Sequence, residues 1–142
     1  MKNAGDYHDL GFNCCESVLL GASDFLGVKS ELIPKIATGF GGGIGHTGRI
    51  CGAITGAIMA LGIKYGRTSP QDKHTRDQLY LKTEKFLQDV EKELGSLNCI
   101  DLIGVALNTE EGLREYREKN LRDKCHEIIE KVEQILRTYL TE

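Results

Sequence analysis

The sequence predicts an all-α protein, and three observations carry that expectation. It has only two prolines in 142 residues, no sustained alternation of apolar and polar residues, and apolar positions that recur three and four apart. The length suits one domain spanning residues 1–142, and 40% hydrophobic content is enough for a single core without a stapling device. The expected architecture is a bundle of six or seven helices around a central apolar helix rich in glycine and alanine.

Each element has its own signal. Asn13 followed three residues later by Glu16 is a capping-box pattern for a helix from about Cys14 to Leu26, with Cys14, Val18, Ala22 and Phe25 on one face and Gly27 as its stop. Ser30 opens a shorter helical segment, ELIPKIATGF, which tolerates Pro34 in its first turn and ends near Gly39. The run GFGGGIGHTG, Gly39 to Gly48, holds too much glycine for a helix and reads as a tight loop with unusual backbone angles. Ile50 to Ile63 carries no charge and reads as the buried helix, its small residues Gly52, Ala53, Gly56, Ala57 and Ala60 allowing close approach of neighbouring backbones.

Ser69 and Pro70 suit the start of a long amphipathic helix to about Leu94, with Leu79, Thr83, Phe86, Val90 and Leu94 along its inner stripe. Asn98 with Asp101 repeats the capped-cysteine pattern, and Thr109 caps a short helix around Leu113 and Tyr116. The last helix, about Leu121 to Leu140, places Cys125, Ile128, Val132, Ile135 and Tyr139 inward.

Composition narrows the function classes. Eighteen basic and twenty-one acidic residues give a formal net charge of −3 without a basic cluster, which argues against nucleic acid as a partner. The segment MKNAGDYHDLG lacks the apolar core of a secretory signal, and the longest apolar run is too short for a membrane span. A cytoplasmic, reducing setting is therefore expected. Five cysteines is an odd number, and none are spaced as Cys-x-x-Cys, so reduced or metal-bound thiols fit better than a disulfide framework.

Cys14 and Cys99 each follow a capping asparagine, and Cys51 lies near a helix start beside the glycine loop and Arg49. Free helix amides favour thiolate at such positions, which marks Cys51 and Cys99 as the redox candidates. Cys125 qualifies only by pointing inward. His46 and His126 are possible metal ligands, set against exposed loop and helix positions, while His8 and His74 read as surface residues. The glycine loop follows no strand and precedes no lysine in P-loop spacing, so nucleotide binding has little support. Neither a catalytic triad nor a paired-carboxylate signal is present. Buried cysteines also act as small apolar residues, which leaves a helical binding module without chemistry as an alternative.

The pieces Asn13-Cys14-Cys15-Glu16, the loop Gly39 to Gly48, Cys51-Gly52-Ala53-Ile54-Thr55-Gly56, Asn98-Cys99 and Cys125-His126 together resemble the C_GCAxxG_C_C family of redox-active proteins. The resemblance covers nearly the whole chain and assigns the family's four cysteines to Cys14, Cys51, Cys99 and Cys125. Cys51 precedes Gly52 here, where the family's name writes glycine first. By the same resemblance Cys15 stands where relatives carry alanine and is accessory. The family is also similar to a domain of split-Soret cytochromes, which implies a two-iron, two-sulfur cluster; the haem-attachment motif Cys-x-x-Cys-His is absent from this chain.

Four thiolates suit an iron–sulfur cluster for electron transfer or sensing, or zinc. Metal-free thiol–disulfide chemistry is the competing reading. The redox partner is unknown, and a homodimer is compatible with electron sharing between two clusters.

Overall fold

Four helices begin where a polar side chain closes on a backbone amide three residues ahead. Asn3 accepts from Asp6 at 2.8 Å, Asn13 from Glu16 at 2.9 Å, Asp72 from Thr75 at 3.0 Å and Thr109 from Gly112 at 2.9 Å. Each bond satisfies an amide that the helix itself leaves free. In the computed structural model, which describes residues 1–142, these caps start α1 (Ala4–Asp9), α2 (Cys14–Leu26), α4 (Lys73–Leu94) and α6 (Glu110–Glu118). The remaining elements are a 3-10 helix (Lys35–Phe40), α3 (Gly52–Tyr65), α5 (Cys99–Ile103) and α7 (Arg122–Leu140). The protein is all-α, its only extended pairing being one antiparallel bridge between Ile50 and Asn98.

The core lies among α2, α3, α4 and α7. Val18 and Ala22 of α2, Ala53 to Ala60 of α3, Phe86 and Val90 of α4, and Ile128 to Leu140 of α7 form one continuous apolar group. Phe86 meets Tyr139 edge-on with ring centroids 5.4 Å apart, and the Tyr139 hydroxyl donates to Asp89, so one residue joins α7 to α4 by both its face and its tip. α3 packs against α2, α4, α7 and the 3-10 helix. Its contact with α2 depends on missing side chains: a Cβ at Gly56 would stand 2.7 Å from the Cys15 carbonyl oxygen, and one at Gly52 would stand 3.0 Å from the Cys15 nitrogen. No helix is long and apolar enough to cross a membrane.

Several boundaries differ from the expected ones, each for a physical reason. α1 is a helix beyond the expected set; its signal is the Asn3-x-x-Asp6 capping box, and it buries His8 where a surface position is expected. The segment after Ser30 forms turns and a 3-10 helix, because the Ser30 hydroxyl takes the Leu32 amide and Pro34, following a cis peptide bond, supplies no amide of its own. α3 starts at Gly52, since Ile50 and Cys51 are drawn into pairing with residues 97 and 98. α4 starts at Lys73, where Asp72 outcompetes Ser69 as the cap. Asn98 stands at the N-cap position of α5 but makes no capping bond with its side chain.

Candidate functional site

The glycine loop is where the chain departs furthest from ordinary backbone. Gly42, Gly43, Ile44, Gly45 and His46 all have φ between 59° and 70°, five left-handed residues in succession. That curl is closed by long-step bonds, His46 N to Gly41 O at 3.0 Å and Arg49 N to Gly43 O at 3.0 Å. Glycine adopts this conformation without penalty, whereas the β-branched Ile44 is strained in it. The curl presses backbone against the cysteines: a Cβ on Gly43 would stand 2.7 Å from the Cβ of Cys99.

Two cysteines are brought together by the bridge. Cys51 N donates to Leu97 O at 2.9 Å, Cys99 N to Arg49 O at 2.7 Å and Ile100 N to Gly48 O at 3.1 Å. In an antiparallel pair with Ile50 opposite Asn98, positions 51 and 99 fall on the same face as diagonal neighbours. The bridge therefore aims Cys51 and Cys99 to one side although α4 separates them in the chain.

Cys14 arrives from α2. Its N-cap Asn13 also donates through Nδ2 to Thr38 O at 3.1 Å, and the Thr38 hydroxyl donates to Glu16 at 2.7 Å, so the start of α2 is tied to the 3-10 helix that leads into the glycine curl. Cys125 arrives from the first turns of α7. The Tyr116 hydroxyl of α6 donates to its sulfur at 3.5 Å. Arg122, one turn earlier, donates to the carbonyls of His8 and Phe12.

Cys14, Cys51, Cys99 and Cys125 all line one cavity of about 590 Å³. Its walls are apolar on the α5 and α7 side and glycine backbone opposite, with Tyr116, Arg117 and Arg122 at the α6–α7 corner. No aspartate or glutamate lines it, in a chain with twenty-one of them. Cys15 is outside the cavity, fully buried among Leu19, Ala37 and Phe40, and takes a hydrogen bond from Thr55 at 3.5 Å.

The histidines divide. Exposed His46 lies on the cavity rim and packs over Gly42, and His8 lies buried on its wall. His126 is not on the cavity: its Nε2 sits 2.8 Å from Glu130, and its Nδ1 is 3.1 Å from Nδ1 of His8.

The ionisation pattern reverses the expectation from helix starts. Burial holds the thiols of Cys51 and Cys99 up at about 11 and about 12. For Cys51 the Ala53 and Ile54 amides act in the opposite direction and are outweighed. The Cys14 thiol is pushed well above its ordinary value by donating to Cys125 and by burial. Cys125, which the sequence marked as the least activated, is instead brought down to about 7. The Cys14 donor is the largest cause; Tyr116 and the Arg122 charge assist it against burial. Desolvation is a tertiary quantity, and for Cys51 and Cys99 it exceeds the dipole of a helix start. Burial likewise lowers His8 to about 4. Tyr116, Arg122 and His8 were not among the expected site residues. Only His8 had a local signal, the cap of the helix that carries it.

No three His, Cys, Asp or Glu side chains are grouped closely enough to hold a single metal ion. Among comparisons with known proteins, a family model described as "Putative redox-active protein (C_GCAxxG_C_C)" matches residues 12–139. No curated protein and no solved structure matches the chain.

Proposed function

From the premise that the chain belongs to the C_GCAxxG_C_C family of redox-active proteins, we propose that its four cavity cysteines bind an iron–sulfur cluster for electron transfer or sensing. The observation that carries this reading is the convergence of Cys14, Cys51, Cys99 and Cys125 on one cavity of about 590 Å³ without a carboxylate on its wall. Four thiols and no oxygen donor is a soft ligand set, suited to iron–sulfur chemistry or zinc and poorly suited to calcium or magnesium.

Four thiols are the full ligand set of a two-iron, two-sulfur cluster and equally of tetrahedral zinc; since zinc carries no redox chemistry, the redox-active family is what favours the two-iron, two-sulfur cluster. Such a cluster, when bound, supplies one-electron transfer. The chain's own contribution is to hold the sulfurs: the Ile50–Asn98 bridge sets Cys51 and Cys99, the Asn13 cap sets Cys14, and α7 sets Cys125. Tyr116 donates to one sulfur, and Arg117 and Arg122 bring positive charge to a site whose ligands are anionic once metallated.

The test is anaerobic purification followed by visible absorption and analysis of iron, acid-labile sulfide and zinc. Visible sulfur-to-iron bands with about two iron and two sulfide per chain are expected. Stoichiometric zinc without iron, or no metal after reconstitution with iron and sulfide, would overturn the reading.

A further inference from the structure

We infer that the α6 side of the cavity is a binding site for a small organic carboxylate, its head held by Arg117 and Arg122 and its hydrocarbon body laid along Leu113, Leu107 and Ile103. The site is built from residues other than the cysteines and stands apart from the cluster reading.

Two positive charges face the cavity without a counter-charge. Arg117 and Arg122 both line it, and no carboxylate does. Elsewhere in the protein Arg76 pairs with Asp77 and Arg137 with Glu133, but neither cavity arginine has an ion-pair partner. Arg122 is fixed in place through Nη2 alone, which donates to the carbonyls of His8 and Phe12, so its Nε and Nη1 stay free. Arg117 is exposed at the cavity mouth. A guanidinium presents a planar fork of donors that matches the two oxygens of a carboxylate.

The neighbouring wall calls for a hydrocarbon chain on that anion. Leu113 and Arg117 stand four residues apart on α6 and therefore share one face of the helix. Leu113 packs against a small apolar group that contains Ile103 and Leu107 and is separate from the main core. All three side chains line the cavity beside the arginines. An inorganic anion would leave this apolar surface against water, whereas an attached acyl or aryl chain covers it.

The space is sufficient. A cavity of about 590 Å³ lies within the range of small-molecule pockets, about 300–1,000 Å³. Four further atoms at the sulfur end would fill on the order of 100 Å³, at about 30 Å³ for each water-sized group. Most of the cavity is therefore open whatever the cysteines carry.

The experiment is calorimetric titration of the anaerobically purified protein with octanoate, and in parallel with 1-octanol, acetate and inorganic phosphate. One octanoate per chain is expected, with each of the other three at least about tenfold weaker, because each lacks either the charge or the chain. Arg117→Gln is expected to weaken octanoate about tenfold, since the guanidinium contributes charge-assisted bonds. Arg114→Gln removes the same charge from the same helix outside the cavity, and is expected to change affinity less than about twofold. Binding of 1-octanol equal to octanoate overturns the carboxylate head, and equal binding of acetate or phosphate overturns the hydrocarbon body. Equal losses in the two arginine variants overturn the placement, and no octanoate binding, or several weak sites per chain, overturns the site.

Discussion

The Tyr116 hydroxyl donates to the Cys125 sulfur across 3.5 Å, linking α6 to the one thiol of the cavity whose pKa lies below its ordinary value, at about 7. Removing the donor with Tyr116→Phe withdraws support from the thiolate, so its pKa rises. A hydrogen bond to a charged group contributes about 1.5–3 kcal/mol, and a long bond to sulfur lies at the low end, equivalent to about one pKa unit. In metal-free protein, iodoacetamide labelling of Cys125 at neutral pH is expected to slow several-fold, with its pH midpoint moved up. Labelling of Cys51, held at about 11 by burial, serves as the internal reference and stays unchanged.

Two glycines of α3 make opposite predictions for the same substitution. Gly56→Ala drives a methyl group to 2.7 Å from the Cys15 carbonyl oxygen and is expected to cost about 1–3 kcal/mol in urea unfolding. Gly62→Ala meets nothing within 4 Å, and is expected to stabilise by about 0.5–1 kcal/mol through helix propensity alone. Equal effects at both positions would mean that the α2–α3 contact is not the tight one.

Asn13 and Asn98 test how far a local pattern can be trusted. Asn13→Ala loses a capping bond and the link to Thr38, and is expected to cost about 1–2 kcal/mol. Asn98→Ala removes no capping bond, and a loss below about 0.5 kcal/mol is expected from the same unfolding measurement.

His8 predicts an acid limb. Burial lowers its pKa to about 4, so between about pH 6.5 and pH 4 the unfolded chain binds a proton that the folded protein refuses. Stability is therefore intact above about pH 6.5 and falls through that window. His8→Gln is expected to flatten the fall by about 2 kcal/mol at pH 4.5, as read from denaturant midpoints at a series of pH values.

The Asn98 case shows where sequence reasoning reached its limit. Patterns confined to one turn were legible: the Asn13 and Thr109 caps, the Gly27 and Gly95 stops, and the inner stripes through Phe86 and Val132 all follow from residues three or four apart. Asn98 carries the same local pattern as Asn13, but the residues on either side of it, Leu97 and Cys99, are hydrogen-bonded to Cys51 and Arg49, partners that no spacing rule identifies. The set of cavity-lining cysteines was legible for the same reason as the helices, through caps and inward stripes. Their ionisation was not, because it depends on which walls close over each sulfur. His8 combines both cases: its helix was readable from Asn3 and Asp6, and its burial depended on where α1 lies against α2 and α7.

The Ile50–Asn98 bridge also sets the order in which the site can come into being. During synthesis Cys51 leaves the ribosome well before its bridge partner exists, and α4 must be made before the two segments can meet. Cys125 follows later still, on the final helix. A nascent chain therefore holds only scattered thiols, and the four-cysteine cavity takes shape only after α7 has docked.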